Sequence, residues 1–160
     1  MTNNPEGRSY IIDYDNLLSR LRAPGGMSDT LRLDNRLDEL PRVHEWLIQL
    51  PVVQACAPNA IEEVWLIVDE VLTNIISYGY EGARNRKIEV SVKRSGERLV
   101  LEFRDDARAF NPLAQVARPD EHPKSGGWGL QLVRSLSDAM HYARLKRYNV
   151  LTIQKLIAPR

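Results

Sequence analysis

The stretch NAIEEVWLIVDEVLTNIIS, residues 59–77, decides the fold prediction for this chain of 160 residues. Its apolar side chains recur at helical spacing and predict an amphipathic helix with one stripe facing a core. Asn59, followed three residues later by Glu62, predicts an N-terminal cap of the capping-box type. The predicted stripe consists of Ile61, Val64, Val68, Val71, Leu72, Ile75 and Ile76.

Two polar side chains of this helix, Glu70 and Asn74, are four residues apart and therefore lie on the same side. They fall on the shoulder of the apolar stripe, with Ile67 beside them. From the helix alone, the simpler interpretation is an ordinary solvated pair. The alternative is that a carboxylate and an amide look into a cleft beside the core, and both are kept as candidate site residues.

The composition narrows the class of protein. A hydrophobic fraction of 43% is typical of a globular chain, and no apolar run is long enough for a membrane span or a signal peptide. A net charge of +1 argues against a dedicated nucleic-acid-binding protein. Cys56 is the only cysteine, which excludes an internal disulfide and a cysteine zinc cluster. We expect a cytoplasmic protein.

Alternating patterns predict strands at residues 30–34, 87–94 and 98–104, with a hairpin loop at 95–97. Helical spacing begins at Leu37 and ends near Leu50. A later helix begins at the glycine turn, and its apolar positions are Leu130, Val133, Leu136 and Met140. A closing hairpin over residues 142–147 and 149–156 follows this helix. The predicted fold class is α+β, a two-layer sandwich with a mostly antiparallel mixed sheet and helices on one face.

The domain boundary is expected near residue 28. Residues 28–160 form the predicted domain, and residues 1–27 form an extension. The extension is either a tether or disordered arm, or a docking or dimerising segment. Residues 113–125 are polar and contain prolines, and a loop of that length in a compact domain predicts a lid.

Three segments are candidates for chemistry: the Glu70–Asn74 pair, Asp105 at a strand end, and the glycine turn at residues 126–129 before a helix. Glycines there let the backbone approach a phosphate, whose charge the free N–H groups and the helix dipole favour. Each segment alone is weak evidence. Their order along the chain is distinctive.

In that order, the segments resemble the histidine-kinase-type ATPase superfamily, which includes gyrase and MutL-like proteins. Within it, the resemblance is to the bacterial anti-sigma factor serine/threonine kinases. Glu70 and Asn74 resemble the N box, and DDARAFNP at 105–112 resembles the acidic adenine box. GGWGLQLVRSLSD at 126–138 resembles the second glycine box, and NVLTIQK at 149–155 resembles the closing strand. The resemblance covers residues 30–156.

The resemblance implies a Bergerat-type ATP-binding fold with ATP and Mg²⁺ as cofactors. Glu70 would be the general base, and Asn74 would ligate Mg²⁺ through its amide oxygen. Asp105 would accept the adenine amino group, with Thr152 supporting the adenine side. Further nucleotide contacts would come from Ala107, Phe110, Lys124, Gly126, Gly127, Gly129 and Leu130. Lys124 or Arg118 would reach a phosphate from the lid, although the simpler interpretation of each is a solvated charge.

The implied activity is that of a serine/threonine protein kinase which sequesters a sigma factor and phosphorylates an anti-sigma factor antagonist of the STAS type. A homodimer is expected by resemblance, without nucleic acid or membrane as partners. The alternative is a non-catalytic ATP-binding module that acts only by sequestration. A detached catalytic half of a histidine kinase is a weaker interpretation, because the chain has no histidine-bearing dimerisation helix pair.

Two residues depart from the family pattern. Tyr78 stands where the family often has histidine. Ala107 replaces the glycine that is usual in the acidic box, which favours the non-catalytic module. If that position needs a positive φ, alanine costs about 1–2 kcal/mol. The alternative is a negative-φ turn at position 107, without a cost to binding.

Overall fold

The computed structural model describes residues 28–114 and 127–157. Its first half contains strand β1 (Asp29–Asp34), a 3-10 turn (Leu37–Glu39), helix α1 (Leu40–Gln49) and a single helical turn, α2 (Pro51–Gln54). The long helix α3 (Pro58–Asn74) follows and continues as one π-helical turn (Ile75–Gly79). The predicted first strand, helix and central helix are therefore present in the expected order.

The second half contains β2 (Lys87–Ser95), β3 (Arg98–Asp105), α4 (Gly127–Leu136), β4 (Ala139–Leu145) and β5 (Tyr148–Leu156). The strands lie in the order β1-β2-β3-β5-β4, and every neighbouring pair is antiparallel. The predicted α+β class is confirmed. The sheet is not mixed in the described residues, because β5 folds back from β4 and runs opposite to β3.

One face of the sheet and the helices share a hydrophobic core. Strand register places Val90 opposite Phe103 and Leu101 opposite Ile153, and all four side chains are fully buried. Removing such side chains from water stabilises the fold by about 1.5–3 kcal/mol each. The helices cover this face with Val43, Leu47, Val64, Ile67, Val68, Val71, Leu72 and Val133. The predicted packing of helices on one face is therefore observed.

Lys155 of β5 joins the two helices that carry the candidate site. Its side chain is buried, and Nζ donates to the carbonyl of Leu136 at the end of α4 (2.8 Å). The same ammonium forms an ion pair with Glu63 of α3. A cation at a helix C-terminus is favourable because it meets the negative end of the helix dipole. These contacts hold α4 against α3.

The start of α3 differs from the prediction. The helix begins at Pro58, and the capping residue is Ala57, which is extended and offers no side-chain hydrogen bond. Proline suits the first helical position because its φ is already helical and its missing N–H has no partner there. The capping-box prediction for Asn59 and Glu62 is therefore wrong.

Two apolar residues were also misplaced. Ile67, predicted on the shoulder beside Glu70, is fully buried in the core. Met140, predicted on the last helix, lies in β4, where it is half-buried against the core. Ile67 remains in the predicted helix but belongs to its buried face. An isolated apolar residue such as Met140 satisfies both helical and strand periodicity, so the pattern alone could not place it.

The predictions for the extension at 1–27 and for most of the lid at 113–125 lie outside the described residues. Within residues 28–114 and 127–157, none of the helices combines the length and the apolar character needed to span a membrane.

Candidate functional site

The Glu70–Asn74 pair meets the glycine turn through Gly129. Glu70 and Asn74 lie in the last turns of α3, and Gly129 lies in the first turn of α4. A methyl group built on Gly129 would lie 2.1 Å from Glu70 Oε2 and 3.6 Å from Asn74 Nδ2. Real Cβ atoms do not approach a side-chain oxygen so closely, so this contact requires glycine in the observed arrangement. The structure thus brings two of the three candidate segments together.

Asn74 carries a polar group without a partner. Its Nδ2 is buried and has no hydrogen bond within the part of the chain that the structure describes. Rotation of the amide exchanges its nitrogen and oxygen, so the same position can present an acceptor. Buried polar atoms normally find partners, which makes an unpartnered amide a candidate ligand-binding group.

The residues around Asn74 fit a magnesium ion that is held mainly by phosphates and water. The described residues contain no group of three or more His, Cys, Asp or Glu side chains arranged for a metal. Mg²⁺ typically takes one or two protein ligands and completes its shell with water and substrate phosphates. One amide oxygen beside the Glu70 carboxylate is compatible with that pattern, whereas a fully protein-ligated metal centre is not.

Asp105, the last residue of β3, is buried with only 4% of its surface exposed. Its Oδ1 accepts hydrogen bonds from Asn149 Nδ2 (2.8 Å) and from the Ala107 N–H (3.0 Å). Burial raises the pKa of this carboxyl, while the Asn149 and Ala107 hydrogen bonds and the Arg144 charge oppose the rise. The hydrogen bonds to Asp105 within the described residues all use Oδ1, which leaves Oδ2 for a ligand donor.

Ala107 is accommodated without backbone strain. The described residues other than glycine with positive φ are Glu81, Asn85 and Lys146, and Ala107 is not one of them. The alternative of an ordinary negative-φ turn is therefore correct, and the strain hypothesis is wrong.

A second glycine makes room for the Ala107 methyl group. A Cβ built on Gly79 would lie 2.8 Å from the Ala107 Cβ, so the two positions are sterically coupled. The N–H of Arg108 also donates to the Gly79 carbonyl (3.2 Å). These contacts tie the acidic turn to the end of the central helix.

Asn149 is a site residue that the sequence reasoning missed. Strand register places it directly opposite Asp105, and it is 6% exposed. Its Nδ2 also donates to the Arg108 carbonyl (2.9 Å). Its Oδ1 accepts from Tyr142 Oη (2.6 Å) and Arg144 Nη1 (2.9 Å). One side chain thus connects β3, β4, β5 and the acidic turn.

Thr152, predicted on the adenine side, lies on the other face of the sheet. It is in register with Glu102 of β3 and His141 of β4, whereas Asp105 is in register with Asn149. Successive strand residues alternate between faces, so Thr152 and Asp105 point in opposite directions. The predicted position of Thr152 on the side of Asp105 is therefore not observed, and the residue of β5 that lies there is Asn149. A fixed register at the start of β5 was the signal that could have identified it.

The remaining predicted residues are distributed around this site. Phe110 is partly exposed, and its N–H donates to Asn149 Oδ1 (3.3 Å). Gly127 begins α4, and Leu130 is half-buried in its first turn. Arg134 of α4 donates to the Pro112 carbonyl (2.6 Å), which ties α4 to the acidic turn. Lys124, Gly126 and Arg118 lie outside the described residues.

The fold and these contacts agree with the comparison with known proteins. The chain belongs to the histidine kinase-like ATPase domain family, which it matches over residues 33–155. This span contains Glu70, Asn74, Asp105, Gly129 and Asn149. The superfamily resemblance inferred from the sequence is confirmed, and with it an ATPase-type domain.

The serine/threonine-protein kinase BtrW of Bordetella bronchiseptica is 25% identical over 136 residues, which are 82% of this chain and 96% of BtrW. The RsbU and RsbW domains of Rv1364c from Mycobacterium tuberculosis share the fold, with a TM-score of 0.60 and 14% identity over 82% of this chain. The blue-light activated histidine kinase EL346 of Erythrobacter litoralis gives a TM-score of 0.50 and 21% identity over 64% of this chain. The chain spans 32% of the length of each of these two structures.

Proposed function

We propose that this chain is an ATP- and Mg²⁺-dependent serine/threonine protein kinase of the partner-switching type. The observation that carries the proposal is the close approach of Gly129 to Glu70 and Asn74. A base, an amide ligand and a glycine-led helix N-terminus are the parts that a phosphoryl-transfer site needs within one small volume. The similar protein BtrW is a serine/threonine-protein kinase, which supports the same class.

In this proposal, Glu70 accepts or polarises the proton of the acceptor hydroxyl. Asn74 offers its amide oxygen to the metal, and the backbone at Gly127 and Gly129 faces the phosphates. Asp105 Oδ2 accepts a hydrogen bond from the adenine ring of the nucleotide and so orients the ring. The nucleotide and its metal, when bound, supply the phosphoryl group and neutralise its developing charge.

The partners are proposed from the family resemblance. The chain would sequester a sigma factor and would phosphorylate a small STAS-type antagonist on serine or threonine. This transfer would be the step that resets the switch. A homodimer is expected on the same ground. Cys56 is a buried free thiol, which fits a reducing compartment such as the cytoplasm. The catalytic unit is proposed to be residues 28–160, with residues 1–27 as an extension.

The alternative of a non-catalytic module had one supporting observation, the replacement of the family's glycine by Ala107. Since Ala107 lacks a positive φ and packs against Gly79, that observation no longer predicts a weakened nucleotide site. The kinase is therefore the function that we propose.

The test is to purify the protein from its own cells with whatever it captures, and then to add ATP with magnesium. A kinase of this type transfers the γ-phosphate to serine or threonine of a captured small protein. The non-catalytic module would instead be established if the folded protein binds ATP but its captured partner is neither phosphorylated nor released when ATP is added. ADP with magnesium is the matched control, because it occupies the site without a transferable phosphate.

A further inference from the structure

Asn149 has a fixed side-chain orientation. Its Nδ2 faces two acceptors, Asp105 Oδ1 and the Arg108 carbonyl, and its Oδ1 faces two strong donors, Tyr142 Oη and Arg144 Nη1. Turning the amide over would place an oxygen against a carboxylate and a carbonyl, and an NH₂ group against a guanidinium. Because the side chain is buried, water cannot compensate for such mismatches.

This orientation determines what Asp105 can offer a ligand. Asn149 Nδ2 and the Ala107 N–H both donate to Oδ1, so the carboxylate presents a single acceptor, Oδ2. A carboxylate with both oxygens available forms a fork that matches two adjacent donors, such as guanine N1–H and its 2-amino group. A single acceptor matches the one exocyclic amino group of adenine.

We propose that Asn149 is a positioning residue that holds Asp105 Oδ1 and leaves only Oδ2 for the nucleobase. It thereby selects adenine over guanine nucleotides. This inference rests on the proposed nucleotide-binding function. Arg144 supports the arrangement by donating to both Asn149 Oδ1 and the Ala107 carbonyl (2.9 Å each).

The charges and hydrogen bonds around Asp105 affect how far its carboxyl is ionised. Arg144 favours the ionised carboxylate, whereas Asp106, the next residue, disfavours it. The buried hydroxyl of Tyr80 also lies within the field of Asp105, and its pKa is raised by burial and then by Asp105 and Asp106. Burial itself raises the pKa of Asp105, so the Asn149 hydrogen bond helps to keep the carboxylate ionised.

The test is Asn149→Asp, which has nearly the same shape. The substitution keeps an acceptor for Tyr142 and Arg144 but replaces the Nδ2 donor by an oxygen that faces Asp105 Oδ1. Two carboxyl groups at hydrogen-bond distance share one proton, and the shared proton restores a donor. Loss of that proton leaves two carboxylates facing each other, so Asp105 is no longer held and its hydrogen bond to adenine is lost. A hydrogen bond to a charged group corresponds to about 10- to 100-fold in affinity.

The expected result is a pH dependence that the parent lacks. Calorimetric affinity of Asn149→Asp for ATP should decline by about 10- to 100-fold as the pH is raised from about 6 to about 9, with a falling preference for ATP over GTP. The parent should show no such decline. Asn85→Asp makes the same chemical change at an exposed position, where aspartate tolerates the positive φ, and should behave as the parent.

Each outcome decides between the inference and the proposed function. A folded Asn149→Asp protein with the parent's ATP preference at every pH would overturn the role of Asn149 and leave the kinase proposal intact. If Asn149→Asp fails to fold, Tyr142→Phe removes one donor to Asn149 Oδ1, and it should lower the ATP preference a few-fold; an unchanged preference counts against the inference. If the parent binds neither nucleotide, the proposed function fails.

The role of Asn149 is then tested by titrating the Asp105 carboxyl by NMR without nucleotide. An Asp105 pKa that is the same in Asn149→Asp as in the parent overturns that role.

Discussion

Substituting Gly129 by alanine should separate folding from phosphotransfer. The new methyl group would lie 2.1 Å from Glu70 Oε2 and 3.1 Å from Glu70 Cδ, so the two groups cannot keep their positions. Helix α4 is held by the contacts of Arg134 with Pro112 and of Lys155 with Leu136. Glu70 ends in rotatable bonds, so its carboxylate is the group that moves.

The expected change in stability is small. Alanine in place of glycine favours a helix by at most about 1 kcal/mol, and an off-rotamer Glu70 costs about 0.5–1.5 kcal/mol. The free energy of unfolding should therefore change by no more than about 1.5 kcal/mol. Displacing a general base should lower the phosphotransfer rate by about 10²- to 10⁴-fold.

The assay combines thermal unfolding with transfer of labelled phosphate from ATP to the captured antagonist. Ser135→Ala, at an exposed position of the same helix, is the control. A Gly129→Ala protein that melts like the parent and transfers phosphate at the parent's rate would refute the reasoning, since Glu70 would then be dispensable where it lies.

Four further substitutions, the last of them made together with Gly79→Ala, test the other contacts. Asn74→Ala should abolish the Mg²⁺-dependent tightening of ATP in calorimetry, with little change in melting temperature because Nδ2 has no partner among the described residues. Asp105→Asn should lose adenine preference while the nucleotide-free protein is at least as stable as the parent at neutral pH, because the pKa of Asp105 is raised and its buried charge is unfavourable above that pKa. The stability advantage of Asp105→Asn over the parent should shrink in thermal melts as the pH falls through that pKa, because Asp105 of the parent then becomes neutral. Gly79→Ala should destabilise by about 1–3 kcal/mol in denaturant unfolding through overlap with Ala107, and Ala107→Gly should restore most of this loss; additive losses would show that the two positions are independent.

The strands and the central helix could be predicted because alternating or helical apolar spacing follows directly from burial on one face. The same spacing predicted that Glu70 and Asn74 share a side of α3. Their contact with Gly129 could not be predicted from spacing, because it depends on how α4 packs against α3. The family resemblance supplied that association instead.

The adenine side was predicted less well, since it depends on strand register. Asp105 at the end of β3 was anticipated, but the residue opposite it is set by how β5 pairs with β3. Successive strand residues face opposite sides of the sheet, so the family resemblance without the register could not separate Thr152 from Asn149. The π-helical turn at Ile75–Gly79 also has no signature in a helical repeat, yet it carries Gly79 to Ala107.

The central claim is that Glu70 is the base of a working kinase site. The most direct measurement compares the parent with Glu70→Gln in two assays, ATP affinity by calorimetry and single-turnover transfer of labelled phosphate to the antagonist in the presence of magnesium. A general-base role of Glu70 predicts unchanged ATP affinity and a loss of transfer of about 10²-fold or more. Transfer at the parent's rate by a Glu70→Gln protein that binds ATP normally would contradict it.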